Sequence, residues 1–384
     1  MTMKTMGIYV HIPFCRQKCL YCDFPSFSGQ ESLYEEYAAA LDREITGRGG
    51  LFSAVPVDTV FFGGGTPTAL PARQLAKLLQ SLREYFAVTA DAEISLEANP
   101  GTVDAAALHT LRQAGFNRIS FGVQSFHDPL LKALGRLHDS AGGAAAVEAA
   151  RRAGFDNVSV DLMYGLPGQT LAQLQESLRR AVALAVDHLS VYGLKVEDGT
   201  PFGDAWEAGA LDLPLEETEE AMYDFVTRWL PEQGYGRYEI SNYSLPGRYC
   251  RHNLRYWRYL PYLGLGSAAH SFIEGQRRAN VTDVKEYIHR IQNSGTAEDF
   301  VEEYQRSHAL SEYVFLALRT CEGMALAEFS QCFAADFRQL YQPVIEQLQR
   351  EGLISLTGEK LFLTERGMKY SNVVFRAFIA DNSQ

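Results

Sequence analysis

Through the first half of the chain, short runs rich in β-branched and aromatic residues alternate with amphipathic stretches. The runs are GIYVH (7–11), VDTVFF (57–62), AEISLE (92–97), RISFG (118–122), NVSVDL (157–162) and HLSVYGL (188–194). Between them, segments 31–45, 72–86, 103–115 and 171–185 repeat apolar residues with helical spacing, several with cap or stop signals. A strand, a crossover helix and another strand, recurring every 25 to 50 residues, require a parallel sheet. Six such units predict an α/β fold of the partial (β/α)6 barrel type. A doubly wound open sheet is the runner-up, but the Gly-rich turn after the second strand reads GGGTP rather than the GxGxxG of a dinucleotide fold.

From about Gly199 the texture changes to EDGTPFGDAWEAG, then an acidic helical stretch over 216–230, then the aromatic segment YGRYEISNYSLPGRYCRHNLRYWRYLPYLGLG. This is not expected to be another strand–helix unit. The last part reads as two helices followed by alternating residues around a turn at Thr357-Gly358, the pattern of a β-hairpin. The expected organisation is a barrel core over 1–200, an extension over 201–308, and a small α+β, winged-helix-like domain over 309–384.

The length of 384 residues suits one large and one smaller domain, and 46% hydrophobic with 21% charged residues is an ordinary globular balance. A net charge of -12 and the lack of a Lys/Arg-rich run argue against a nucleic-acid partner. With no apolar run of spanning length and no leader pattern, the expected location is the cytoplasm, with peripheral membrane attachment left open. Six cysteines are too few for a disulfide scaffold in a chain this long. Three of them, Cys15, Cys19 and Cys22, crowd into the loop after the first strand, which points to metal binding in a reducing compartment. Cys321 and Cys332 are read as core residues of the C-terminal helices.

A loop at the carboxyl end of a barrel strand is where barrel sites are built. Three thiolates around four irons leave one iron open for a further ligand. The alternatives are zinc, with His11 the nearby group able to complete its set, and three buried free cysteines, which the polar Arg16, Gln17 and Lys18 between them argue against. The glycines of Gly63-Gly64-Gly65-Thr66-Pro67 would let backbone approach a ligand, or would make a tight turn. Glu97, Gln124 and Asp161 are expected at the ends of the third, fourth and fifth strands, three polar groups on one rim, although each taken singly is better read as a helix-cap or loop group.

HIPFCRQKCLYCDF, with its CxxxCxxC spacing, resembles the signature of the radical SAM superfamily. The flanking IYVHIPFC and CDF are similar to its oxygen-independent coproporphyrinogen III oxidase-like subfamily, which includes heme chaperones. The resemblance implies a 4Fe-4S cluster on the three cysteines. Its open iron chelates S-adenosyl-L-methionine, which one-electron reduction cleaves to a deoxyadenosyl radical. It further implies contacts to that cofactor from Gly64, Gly65, Thr66, Glu97, Gln124, Arg136 and Asp161, and from Tyr9 and Tyr21, and an electron donor such as flavodoxin or ferredoxin. Where the decarboxylating oxidases carry a fourth cysteine two positions after the third, this chain has Phe24, and only fourteen residues precede Cys15. Both departures point to the chaperone branch, which binds heme or a porphyrin and passes heme to acceptor proteins, with homodimerisation compatible with it. Within CRHNLRYW, the residues Cys250, His252, Asn253, Tyr256 and Trp257 resemble that branch's heme-associated motif. Without the resemblance, the same segment reads as an aromatic interdomain seam. The alternatives are oxidative decarboxylation of coproporphyrinogen III, or radical chemistry on another substrate.

Overall fold

The computed structural model describes residues 3–302 and 305–380, so the end of the expected C-terminal domain, 381–384, lies outside the described residues. Six strands open the chain: β1 (Met6–Ile12), β2 (Pro56–Gly64), β3 (Ala87–Ala98), β4 (Arg118–Gln124), β5 (Val158–Tyr164) and β6 (His188–Gly193). They lie side by side in sequence order and all pair in parallel. A doubly wound sheet would reverse direction at a switch point; this order has none, and its two ends are not paired with each other among the described residues. The result is the open, partial barrel that the spacing of the runs predicts.

Alternation along each strand builds two different faces. On β4, Ile119, Phe121 and Val123 point outward and are fully buried with the helices, while Arg118, Ser120, Gly122 and Gln124 share the inner face. Helix Ala72–Tyr85 contributes Leu75, Leu78, Leu79 and Leu82 to the outer layer, and helix Ala105–Ala114 contributes Leu108 and Leu111. Asp104 caps the latter by accepting from the Ala107 N–H, and Gly115 ends it at φ +106°. Truncating one of these leucines to alanine costs about 2–5 kcal/mol.

The aromatic extension departs from expectation. It supplies β7 (Gly236–Arg237), β8 (Asn242–Ser244), β9 (Tyr262–Leu265), β10 (His270–Ile273), β11 (Gln276–Asn280) and β12 (Glu298–Glu302), which lengthen the first sheet at both edges to twelve strands. Helix Arg251–Trp257 leads into β9, which pairs in parallel with β1, so one strand–helix step hides in the aromatic segment. Leu263, Leu265, Tyr287 and Ile291 join the same apolar core as β1 to β6.

Beyond residue 305 a separate core forms around Val314, Leu318, Phe329, Phe337, Tyr341 and Phe378. Its three-stranded antiparallel sheet has the order β13 (Met324–Ala325), β15 (Lys360–Leu363), β14 (Ile354–Thr357), with the hairpin turn at the expected Thr357-Gly358. Arg319–Glu239 and Lys369–Asp224 ion pairs tie it to the first core. Cys321 and Cys332 are exposed, contrary to the expectation that they are core residues. Cys321 lies past the end of helix Arg306–Leu318, and Cys332 sits on the outer side of helix Leu326–Phe333, whose buried side is taken by Phe329. Among the described residues no helix is long and apolar enough to cross a membrane.

Candidate cofactor site

The inner faces of β2 to β6 enclose a cavity of about 460 Å³. Polar side chains at alternate strand positions line it, Glu97 on β3, Arg118 and Ser120 on β4, Asp161 on β5 and Ser190 on β6, beside the apolar Phe61 of β2 and Met163 of β5. Cys15, Cys19, Cys22 and Tyr21 line its mouth together with Gly64, Gly65, Thr66, Gln124 and Arg136. Tyr9 does not line it. That ring lies behind Phe61, with its hydroxyl 3.1 Å from His11 Nδ1.

The cysteine loop is clamped at its base, where the Cys15 N–H donates to Phe27 O at 2.9 Å and the Phe27 N–H to Pro13 O at 2.7 Å. Its far side is held by the Leu20 N–H on Leu134 O at 3.2 Å and by Gln17 on Gly135 O at 2.8 Å. The glycine turn packs directly beneath, with the Thr66 N–H donating to Phe14 O at 2.7 Å. A Cβ on Gly65 would lie 2.7 Å from that same carbonyl, and Gly64 has φ +109°, so neither position accommodates a side chain. Cys15 Sγ is 3.4 Å from Thr66 Oγ1, and Arg136 Nη1 donates to Cys19 Sγ at 3.2 Å. Burial pushes the Cys22 thiol up. Among the described residues no three His, Cys, Asp or Glu side chains converge on one ion position. A cubane, whose thiolates bind separate irons, needs no such convergence. His11, the proposed fourth zinc ligand, instead has Nε2 2.9 Å from Pro25 O, and burial lowers its pKa to about 4.

Arg136 is held by Asn99 Oδ1 at 2.6 Å and by Gly122 O, yet its Nε is buried without a partner. Gln124 ends β4 in the left-handed region at φ +66°, a strained conformation for a residue other than glycine, and accepts from the Tyr192 hydroxyl at 3.1 Å. Asp161 lies in the middle of β5 rather than at its end, level with Gly122, and accepts from Ser120 Oγ at 3.0 Å. Asn99, Tyr192, Ser120, Ser190 and Arg118 escaped the motif-based reading. The alternation of the strand runs was the signal that could have found the last three.

Burial and the neighbouring Asp161 carboxylate raise the Glu97 pKa from 4.5 to about 8. Within that window the folded protein holds a proton that the unfolded chain has released, so this residue's contribution to stability falls as pH rises. Glu97→Gln lacks the titration. In ligand-free protein its melting temperature is expected to gain on that of wild type as pH is raised from 4.5 to about 8; a constant difference across a pH series would refute the shift.

The CRHNLRYW segment closes the floor of the barrel. Glu93, on the inner face of β3, accepts from the backbone N–H groups of Arg251 and His252 at 2.9 and 3.1 Å and lies 3.7 Å from Cys250 Sγ. His252 is fully buried, with Nδ1 2.9 Å from Thr59 Oγ1 and Nε2 2.8 Å from the Tyr256 hydroxyl, and burial lowers its pKa to about 3. Cys250 is fully buried too, its thiol pushed up to about 12 by desolvation. Trp257 lies under the Arg319 guanidinium, 4.3 Å from its ring centre. Of this group Asn253 alone lines the cavity.

Comparison with known proteins places this geometry. Residues 9–181 match the Radical SAM superfamily and residues 304–370 match the HemN C-terminal domain. The chain is 38% identical over 374 residues to the heme chaperone HemW of Bacillus subtilis, covering 97% of this chain and 99% of that protein. The chain belongs to the HemW family of radical SAM proteins. The heme chaperone HemW of Escherichia coli is 32% identical, with 99% of each chain covered. Among solved structures, the radical SAM enzyme coproporphyrinogen III oxidase (HemN) from Escherichia coli superposes with a TM-score of 0.85 at 26% identity, covering 98% of this chain and 90% of that one. In this member of the HemW family, the residues at the cavity mouth fit the superfamily's cofactors. Three thiols face one opening, the adjoining glycines leave backbone free to approach, and a buried guanidinium retains an unpartnered N–H.

Proposed function

We propose that this protein is a heme chaperone, binding heme and handing it to acceptor proteins, on a scaffold that carries a 4Fe-4S cluster and S-adenosyl-L-methionine. The observation that carries the reading is near end-to-end similarity to HemW proteins, together with Phe24 where the decarboxylating oxidases have their fourth cysteine. In this reading Cys15, Cys19 and Cys22 hold the cluster. Bound together, cluster and sulfonium supply one-electron reductive chemistry at the mouth of the cavity.

The chain's own residues then have distinct tasks. Arg136 offers its free Nε to the cofactor's carboxylate, already oriented by Asn99 and Gly122. Gly64, Gly65 and Thr66 bring backbone to the amino group. Glu97 and Asp161 face the cavity as acceptors for ribose hydroxyls, with Glu97 protonated near neutral pH and therefore also a donor. Tyr21, packed 6.3 Å from Phe202, forms one side of the entrance. An acidic electron carrier such as flavodoxin or ferredoxin would approach the cysteine loop where Arg16 and Lys18 are exposed. We assign heme contact to the segment holding Cys250, His252, Asn253, Tyr256 and Trp257. Ligation of iron by His252 would first require release from Thr59 and Tyr256.

Cluster-loaded protein, supplied anaerobically with S-adenosyl-L-methionine and coproporphyrinogen III, is expected to form no vinyl product, and heme-loaded protein to pass heme to an apo acceptor. Conversion to protoporphyrinogen would reject the chaperone reading. A heme titration of His252→Ala beside wild type tests the ligand, since an unchanged absorption spectrum and affinity would remove His252 from the site.

A further inference from the structure

Beneath the proposed cofactor position, the floor of the cavity holds a buried guanidinium that no acceptor among the described residues hydrogen-bonds, with the Glu93 and Asp161 carboxylates close enough to favour its charge without touching it. Arg118 begins β4, is only 3% exposed, and lines the cavity. Among the described residues its guanidinium donates no hydrogen bond and forms no ion pair, and its Nε is buried without a partner. Nearby acidic groups are committed elsewhere. Glu93 caps helix Arg251–Trp257 with both oxygens, and Asp161 is bonded to Ser120. The contrast with Arg255 is instructive, because that buried arginine is held by Asp58, Thr5 and Pro261. A guanidinium withdrawn from water without acceptors costs several kcal/mol, and its planar fork of donors matches a carboxylate.

We infer that Arg118 is the recognition group of an anion subsite at the cavity floor, taking the carboxylate of a bound ligand. That carboxylate has two sources: a small organic acid lying inside the barrel, or a propionate of a porphyrin. The second rests on the heme-chaperone reading; the first does not.

Thermal unfolding of the full chain in sodium chloride and in sodium propionate at equal ionic strength tests the subsite without heme. Heme and its dimethyl ester, whose propionates carry no charge, are then titrated against the same proteins. For a small acid, propionate raises the melting temperature of wild type in a concentration-dependent way, while heme and its ester bind alike. For a porphyrin propionate, heme binds wild type about tenfold more tightly than the ester does. In either case the effect disappears in Arg118→Met, and it is reduced in Arg118→Lys, which keeps the charge without the fork. Arg118→Lys carries the comparison if the methionine variant does not fold. The proposal is overturned if wild type shows neither a propionate shift nor a heme–ester difference, or if these effects persist undiminished in both variants. Failure to bind heme at all would reject the chaperone reading while leaving the propionate measurement intact.

Discussion

Alanine at Cys15, Cys19 or Cys22 is expected to strip the protein of its cluster, lowering iron and sulfide per chain about tenfold or more after anaerobic reconstitution. Each thiolate in a site-differentiated cubane binds its own iron, so two ligands from one loop cannot hold it. No other cysteine can substitute. Cys250 is fully buried on the far side of the cavity floor, and Cys321 and Cys332 are exposed in the C-terminal region. Alanine at Cys321 or Cys332 is accordingly expected to leave the iron content unchanged. The loop variants should remain folded, because the loop is clamped by backbone hydrogen bonds from Cys15, Leu20 and Phe27 that alanine preserves. Iron and acid-labile sulfide assays with a circular dichroism melt decide the matter. Full cluster retention in the triple variant would contradict the assignment.

Arg255→Ala is expected to destabilise the protein by about 1–3 kcal/mol, because it leaves the Thr5 and Pro261 carbonyls without their donor and the partly exposed Asp58 without its partner. Arg255 is 4% exposed and bonds Asp58 Oδ1 at 2.6 Å, Thr5 O at 3.0 Å and Pro261 O at 3.0 Å. It therefore ties the helix of the CRHNLRYW segment to the start of β1 and of β9, the step at which the aromatic extension joins the barrel. A Cβ on Gly7 would lie 2.8 Å from both the Arg255 side chain and Thr59 Oγ1, so the two together set the need for glycine there. Arg255→Lys should recover less than half of the loss, since an ammonium cannot reach three acceptors in a plane. Chemical denaturation measures the loss, and iron content of the folded fraction should be unaltered. A loss below about 1 kcal/mol, the range of surface pairs, would show that the contact is not buried in solution.

Much of this arrangement was legible along the chain. The six runs of β-forming residues and their spacing specify parallel strands in sequence order, because each run is too short to turn back and each intervening helix must pack on the sheet before the next strand begins. The same alternation encodes a polar interior, visible in Arg118, Ser120, Gly122 and Gln124 on one face of β4 and Ile119, Phe121 and Val123 on the other. The CxxxCxxC loop and GGGTP turn were readable because their chemistry lies within single short segments.

Long-range placement was not readable in that way. Asp161 was expected at a strand end and lies mid-strand, because pairing with Tyr192 and Gly193 of β6 carries β5 on through Met163 and Tyr164. The aromatic segment carries no periodic signal, yet its helix caps the barrel through Glu93, a carboxylate about 160 residues earlier in the chain. His252 looked available as a ligand from its residue type alone, and only the fold brings Thr59 and Tyr256 to its two ring nitrogens. Local alternation and spacing thus determined which elements form and which faces are polar. Which buried polar groups end up satisfied, and which, like Arg118, are left facing the cavity, was decided by strand register and by contacts between residues far apart in sequence.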